Sequence, residues 1–259
     1  MKIFNLSCKI LAIATLVFLG LASSLGAVSD RLKEGDEFLN SPSLDLPRAL
    51  CALDLYTELL AQARPPHTPI LLRLTRTCFL IGELTQPSQR QKYYEKGRAY
   101  AEMLLKEEPA RVEGRYWLAL HLCGQADTGG AMQGRKLLPQ IMKELEQARG
   151  IDEAYEQAGC HRVLGRIYFE APAWPFSVGD LEKSYQHLSR AVRLAPENST
   201  NHLYLAETLI KLNLQDQARQ ELEKVLQGSK HALLAKCLEE DRQEARRLLA
   251  GIANSAETK

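Results

Sequence analysis

Residues 179–198 read GDLEKSYQHLSRAVRLAPEN, and residues 214–228 read LQDQARQELEKVLQG. Ser184, Leu188 and Ala191 are followed 34 positions later by Ala218, Leu222 and Val225. Spacings of four and three residues place each set on one face of a helix. Recurrence at a fixed period of this size marks a chain built from repeated supersecondary units. Between the two stretches, Leu205, Ala206 and Leu209 form a large–small–large set on a further helix. The small residue lets two helices approach closely, and Pro196 lies where the preceding helix must stop.

The same pattern extends upstream. In RYWLALHL the three places are held by Leu118, Ala119 and Leu122, and in HRVLGRIYF by Leu164, Gly165 and Tyr168. Pro109 and Gly150 mark the ends of second helices. ALCALDLYTELLAQARPP reads as another second helix ending at Pro65, followed by a first helix in ILLRLTRTCFLIGEL. The polar stretch from His231 to Leu249, with Leu233, Leu234, Cys237 and Leu238, suits a capping helix, which the last apolar face of an array needs. Over residues 45 to 228 the chain resembles tetratricopeptide repeat (TPR) proteins. The expected fold is an all-α, tetratricopeptide-type α-solenoid of stacked antiparallel helix pairs with a C-terminal capping helix. The dominance of Leu, Ala, Glu, Gln, Lys and Arg favours helix throughout.

The spacing breaks once. From Ala206 to Ala218 the small residues of paired helices are twelve apart, but from Gly165 to Ser184 the gap is longer by seven, the APAWPFS region. Pro172 and Pro175 stiffen this loop, Gly179 permits a tight re-entry, and Asp180 is placed to cap the next helix. Trp174 and Phe176 either plug the edge of the solenoid or present a hydrophobic contact to a partner. The pattern HRVLGRIYFEAP followed by GDLEKSYQHLSRAVRL is similar to the T-component of TRAP transporters (TatT-like proteins). His161, Gly165, Gly179, Asp180, Lys183, Ser184, His187 and Ala191 carry that resemblance. It implies a periplasmic accessory protein that binds a solute-binding component or an organic acid and can form a homo-oligomer.

With 259 residues, a net charge of +1 and a quarter of its residues charged, the chain has no basic excess for nucleic acid. Lys2 and Lys9, the apolar run Ile10 to Leu21 and small residues after it describe a secretory signal peptide. The expected organisation is a signal segment over 1–27, an N-terminal helix and linker over 28–44, the repeat domain over 45–252 and a disordered tail over 253–259. The implied location is periplasmic or otherwise exported, with no membrane span after cleavage; an uncleaved membrane anchor is the alternative. Cys51, Cys78, Cys123, Cys160 and Cys237 then form an odd, scattered set, read as packing residues.

On arrays of this kind the inner surface is lined from the first helices, three before, one after and four after the small residue. These positions hold Tyr116, Leu120 and Cys123; Arg162, Arg166 and Phe169; Leu203, Glu207 and Ile210. Arg162 and Arg166 lie one turn apart. Either both forks reach toward the carboxylate of an acidic segment or organic acid, or they bridge Glu170 or Glu207. A metal shared by His121 or Cys123 and Cys160 or His161 is disfavoured. The register sets those levels roughly 13 Å apart, against ligand distances of about 2 Å. GDEF at 35–38 belongs to an N-terminal helix, and NST at 198–200 suits a helix cap. No nucleophile elbow, zinc-protease, phosphate-loop or dinucleotide motif is present. The reading is a non-enzymatic scaffold for a protein or peptide partner, without cofactor or catalytic residues.

Overall fold

The computed structural model describes residues 28–41, 43–173, 175–228 and 235–257. Residues 1–27, where a signal segment is expected, and Trp174 fall outside the described residues. Among those described, ten helices follow one another: α1 (28–39), α2 (Leu46–Gln62), α3 (Thr68–Leu84), α4 (Pro87–Glu107), α5 (Val112–Ile151), α6 (Tyr155–Glu170), α7 (Leu181–Leu194), α8 (Ser199–Lys211), α9 (Gln215–Gln227) and α10 (Ala235–Glu257). Gly130, at φ 76°, breaks α5 into two antiparallel arms. The hairpins are therefore α1/α2, α3/α4, the arms of α5, α6/α7 and α8/α9, with α10 as the cap. From α2 onward each helix packs on its chain neighbours, α1 meets α2 through the Tyr56 hydroxyl donated to Asp36, and first helices stack on first helices, α3 on α5 and α6 on α8. This is the all-α, tetratricopeptide-type solenoid expected. Helix α10 continues to Glu257, so helix replaces the tail expected from residue 253.

In α7 the buried residues are Ser184, Leu188 and Ala191; in α9 they are Ala218, Leu222 and Val225. The 34-residue offset is thus the period of burial itself. Gly165 shows why the first helix needs a small residue, since an added Cβ would lie 2.5 Å from Cγ of Leu188. Farther upstream the interlocking is aromatic. The ring of Tyr94 on α4 sits where Cβ atoms at Gly82 of α3 and Gly124 of α5 would come within 2.8 Å and 2.7 Å of it. Tyr116 fills the equivalent space over Gly159, and His121 over Gly97.

Helix α10 does more than cap. Ala245 and Ile252 are buried in the cluster formed by α8 and α9, while Cys237 in its first turn packs against the α1–α3 cluster. It therefore spans the concave side from one end of the array to the other.

Candidate functional site

The concave side holds a groove of about 490 Å³. Its walls are Phe79 and Glu83 of α3, Tyr116, Leu120, Cys123 and Asp127 of α5, and Arg162, Val163, Arg166, Ile167 and Glu170 of α6. Thr200 and Tyr204 of α8 and Cys237, Glu240 and Asp241 of α10 complete it. A second hollow of about 490 Å³ shares Cys123, Asp127, Ile167 and Glu170 and runs on to Pro172, Phe176 and Ser177 of the inserted loop. The two form a continuous track across the first helices to the loop edge.

The register offsets place Tyr116, Leu120, Cys123, Arg162 and Arg166 in this groove; Phe169, Leu203, Glu207 and Ile210 lie outside its wall. Leu203 is in the core, and Ile210 faces Leu248 and Ile252 of α10. The cap folds onto the last repeat and takes the surface that would otherwise be its share of the groove. Phe79 and Glu83 are absent from the set expected from sequence. Counting from Gly82 as the small residue of α3 reaches both at the same offsets. Asp127 and the α10 residues have no such signal, because the repeat pattern says nothing of where a cap crosses.

The two arginines do not form a free carboxylate fork. Arg162 is 5% exposed. Its guanidinium donates to the carbonyls of Glu156 (3.3 Å) and Gln157 (3.1 Å), to Oδ1 of Asn201 (3.2 Å) and to the Tyr116 hydroxyl oxygen (3.4 Å). Those carbonyls belong to a left-handed run, Glu156, Gln157 and Ala158 at φ 49°, 56° and 61°. Such backbone persists only where its surroundings fix it. Asn198 and Asn201 add bonds to the side chain and carbonyl of Gln157, at 2.8 Å and 3.2 Å. Arg162 is thus a structural clamp among α5, α6 and α8. Arg166 bridges Glu170 at 2.5 Å and Glu207. Its guanidinium carbon lies 5.0 Å from the Phe169 ring centre and 4.5 Å from that of Tyr204. Burial opposes its charge, but the two carboxylates outweigh this and raise its pKa.

The carboxylates are less engaged. Glu83 accepts the Tyr94 hydroxyl at 2.7 Å. Asp127 and Glu240, both exposed, have no salt-bridge partner among the described residues. Asp241 is buried and accepts the hydroxyls of Ser199 (2.6 Å) and Thr200 (2.9 Å). The groove is therefore an apolar floor under an acidic rim.

The residues carrying the T-component resemblance assemble elsewhere, along the α6/α7 contact. Nδ1 of His161 lies 3.1 Å from Nδ1 of His187, and His187 stacks on Tyr168. One imidazole must therefore offer a lone pair, and burial, reinforced by the neighbouring His161, lowers the pKa of His187 to about 4. Ser184 hydroxyl meets that of Thr208 at 2.9 Å, and Asp180 accepts the Glu182 and Lys183 amides at 3.0 Å. Lys183 sits 5.5 Å over the Tyr168 ring. At Gly179 a Cβ would overlap the Ala171 carbonyl, so only glycine allows the loop to close there. These contacts shape the hairpin. Phe176 is 82% exposed, which removes it from the plug reading.

Among the described residues no group of three or more His, Cys, Asp or Glu is arranged to hold a metal ion. Cys51, Cys78, Cys123 and Cys160 are unbridged. Burial pushes the Cys78, Cys123 and Cys160 thiols up to about 12, which keeps them from acting as thiolates. No described helix is long and apolar enough to cross a membrane.

Comparison with known proteins bears on the two halves separately. The family model for regulator of microtubule dynamics protein 1-3 matches residues 27–176, more than half of the chain. The chain belongs to this family. A tetratricopeptide repeat model matches 176–237, so the two meet at Phe176 in the inserted loop. No curated protein sequence matches the chain. Among solved structures, a thermophilic TPR protein of Thermus thermophilus is similar at a TM-score of 0.61 and 19% identity, over 87% of this chain and 98% of that one. The MamA protein is similar at a TM-score of 0.50 and 16% identity, over 77% of this chain and 90% of that one. At these identities the likeness supports the fold, and the family rests on the sequence match.

Proposed function

We propose that the chain is an exported, non-enzymatic scaffold that holds a protein or peptide segment in its concave groove, with Phe176 at the loop edge as a second contact. The observation that carries this is the groove itself. An apolar floor stays open to solvent on the face where stacked first helices present side chains, and its track ends at an exposed aromatic ring. Aromatic side chains are enriched among the residues that dominate binding at interfaces. A family described by its regulation of microtubule dynamics adds support for a protein as the partner.

The T-component role can involve a solute-binding protein or an organic acid, and the organic-acid form of it asks for a free cationic site. Arg162 and Arg166 are both engaged internally, so the scaffold reading is preferred.

A random-peptide display selection on the full chain tests the scaffold. Enriched peptides should lose binding to Ile167→Arg, provided that variant keeps its thermal midpoint. Peptides indifferent to Ile167→Arg, or no enrichment, would sink the reading. Export is tested by the mass of protein recovered from its own cells. Cleavage is expected after Ser24, Gly26 or Ala27, and a mature chain that retains Met1 would refute it.

A further inference from the structure

The groove's charge says what kind of segment fits. Glu83 on α3, Asp127 on α5 and Glu240 on α10 stand on three separate elements around one apolar floor. Among the described residues neither Asp127 nor Glu240 meets a cation, and the two guanidiniums that reach the groove are held by internal acceptors. An acidic occupant of this hollow would bring its carboxylates against the rim and find both guanidiniums already engaged; the exposed Arg135 lines the adjoining hollow, away from Glu83 and Glu240. A cationic occupant would find unpaired carboxylates in a concave site, where low-dielectric walls concentrate the field. The floor of Phe79, Leu120 and Ile167 rewards apolar side chains, which a bare cation or polyamine lacks.

We propose that the groove takes a cationic amphipathic segment of a partner protein, its lysines or arginines on Glu83, Asp127 and Glu240 and its apolar side chains on the floor. This rests on the groove being a protein-binding site, and it reverses the acidic ligand that the arginine spacing alone suggests.

The probes are two fluorescein-labelled peptides of about twelve residues, with leucine and alanine on one helical face. One carries lysine at every polar position and the other glutamate. Anisotropy titrations against the full chain should show binding of the lysine peptide that weakens steeply with added salt, and none of the glutamate peptide. Because Asp127 and Glu240 are exposed and unpaired, the double variant Asp127→Lys, Glu240→Lys should keep its thermal midpoint. It should bind the lysine peptide at least about tenfold more weakly. The proposal is overturned if the lysine peptide fails to bind up to about 1 mM, binds no tighter than its glutamate counterpart, or changes less than about twofold on charge reversal. Ile167→Arg separates the two layers. Binding of the glutamate peptide that this change abolishes overturns the cationic assignment and leaves a protein-binding groove. Peptide binding that ignores it overturns both.

Discussion

On the C-terminal side of Phe176, α7 and α9 bury Ser184, Leu188, Ala191 and then Ala218, Leu222, Val225, one set of shapes used twice. On the N-terminal side, α3 to α6 bury Tyr94, Trp117, Tyr116 and His121, with Tyr94, Tyr116 and His121 lowered onto Gly82, Gly124, Gly159 and Gly97. Both arrangements bring helices into register as stacked hairpins. The difference is tolerance. Aliphatic side chains repack after modest changes, whereas a flat ring against a bare helix backbone leaves no alternative rotamer. The interior of the N-terminal side therefore depends on individual residues, and that of the C-terminal side on a pattern.

The largest expected effect compares the two sides directly. Trp117 is fully buried and its Nε1 donates to the Tyr155 hydroxyl at 3.1 Å. Trp117→Ala should cost about 4 kcal/mol in urea unfolding, and Leu222→Ala about 3 kcal/mol. Because each unit is held mainly by its neighbours, hydrogen exchange should localise the damage, Trp117→Ala to α3–α6 and Leu222→Ala to α8–α10. Equal loss of protection along the whole chain in both variants would erase the distinction.

Next in size is an acid effect centred on the N-terminal side. Burial lowers the pKa of His121 to about 4, and its Nε2 lies 3.0 Å from the Thr75 carbonyl while Nδ1 has no partner among the described residues. The neutral ring, donating from Nε2, is the form that fits. An unfolded histidine titrates near 6.5. The folded value being the lower, the stability from burying a neutral ring is complete above about pH 6.5 and is lost as pH falls toward 4. For His121 this amounts to at most about 3 kcal/mol, with His187 acting in the same direction. Chemical unfolding between pH 7 and 4.5 should show the loss, and His121→Gln should flatten the slope. A pH-independent wild type would contradict the assignment.

Gly97→Ala gives a smaller effect of the same origin. Its Cβ would overlap the His121 imidazole and approach Cβ of Cys78 within 2.8 Å, so a loss of about 2 kcal/mol is expected. At Gly150 nothing lies within 4 Å, and alanine there should instead stabilise the helix by about 0.5 kcal/mol. Similar thermal midpoints for the two variants would mean that the close approach is not tight.

These contrasts explain what could be read from residues alone. A repeated set such as Leu188 and Leu222 announces itself by period, so the solenoid, its helix ends and Asp180 as a cap were legible. The groove was legible only in part. Offsets from Ala119 and Gly165 found Tyr116, Leu120, Cys123, Arg162 and Arg166 but also named Phe169, which lies outside the wall; of the offsets from Ala206, Leu203 turns into the core and Ile210 is met by α10. The roles of the arginines depend on which acceptors the fold turns inward. The left-handed carbonyls at 156 and 157 that hold Arg162 have no signature in an ordinary YEQA sequence.

The smallest loss is expected where the two sides meet. The chain leaves α6 at Glu170 and re-enters helix at Leu181, and the loop between closes through Gly179 amide to Pro172 carbonyl (2.9 Å) and Asp180 amide to Tyr168 carbonyl (2.8 Å). The Asp180 carboxylate then accepts two first-turn amides of α7, which lowers its pKa. Asp180→Ala removes these cap bonds but neither backbone bond, so only a small fall in the thermal midpoint is expected. Since Phe176 is held by the backbone of this loop, its amide bonding to the Ala173 carbonyl at 3.1 Å, the cap variant should keep peptide binding at the loop edge while Phe176→Ser loses it. If Asp180→Ala weakens binding as much as Phe176→Ser does, the loop is positioned by α7, and the boundary between the two sides is not mechanically independent of the repeat that follows it.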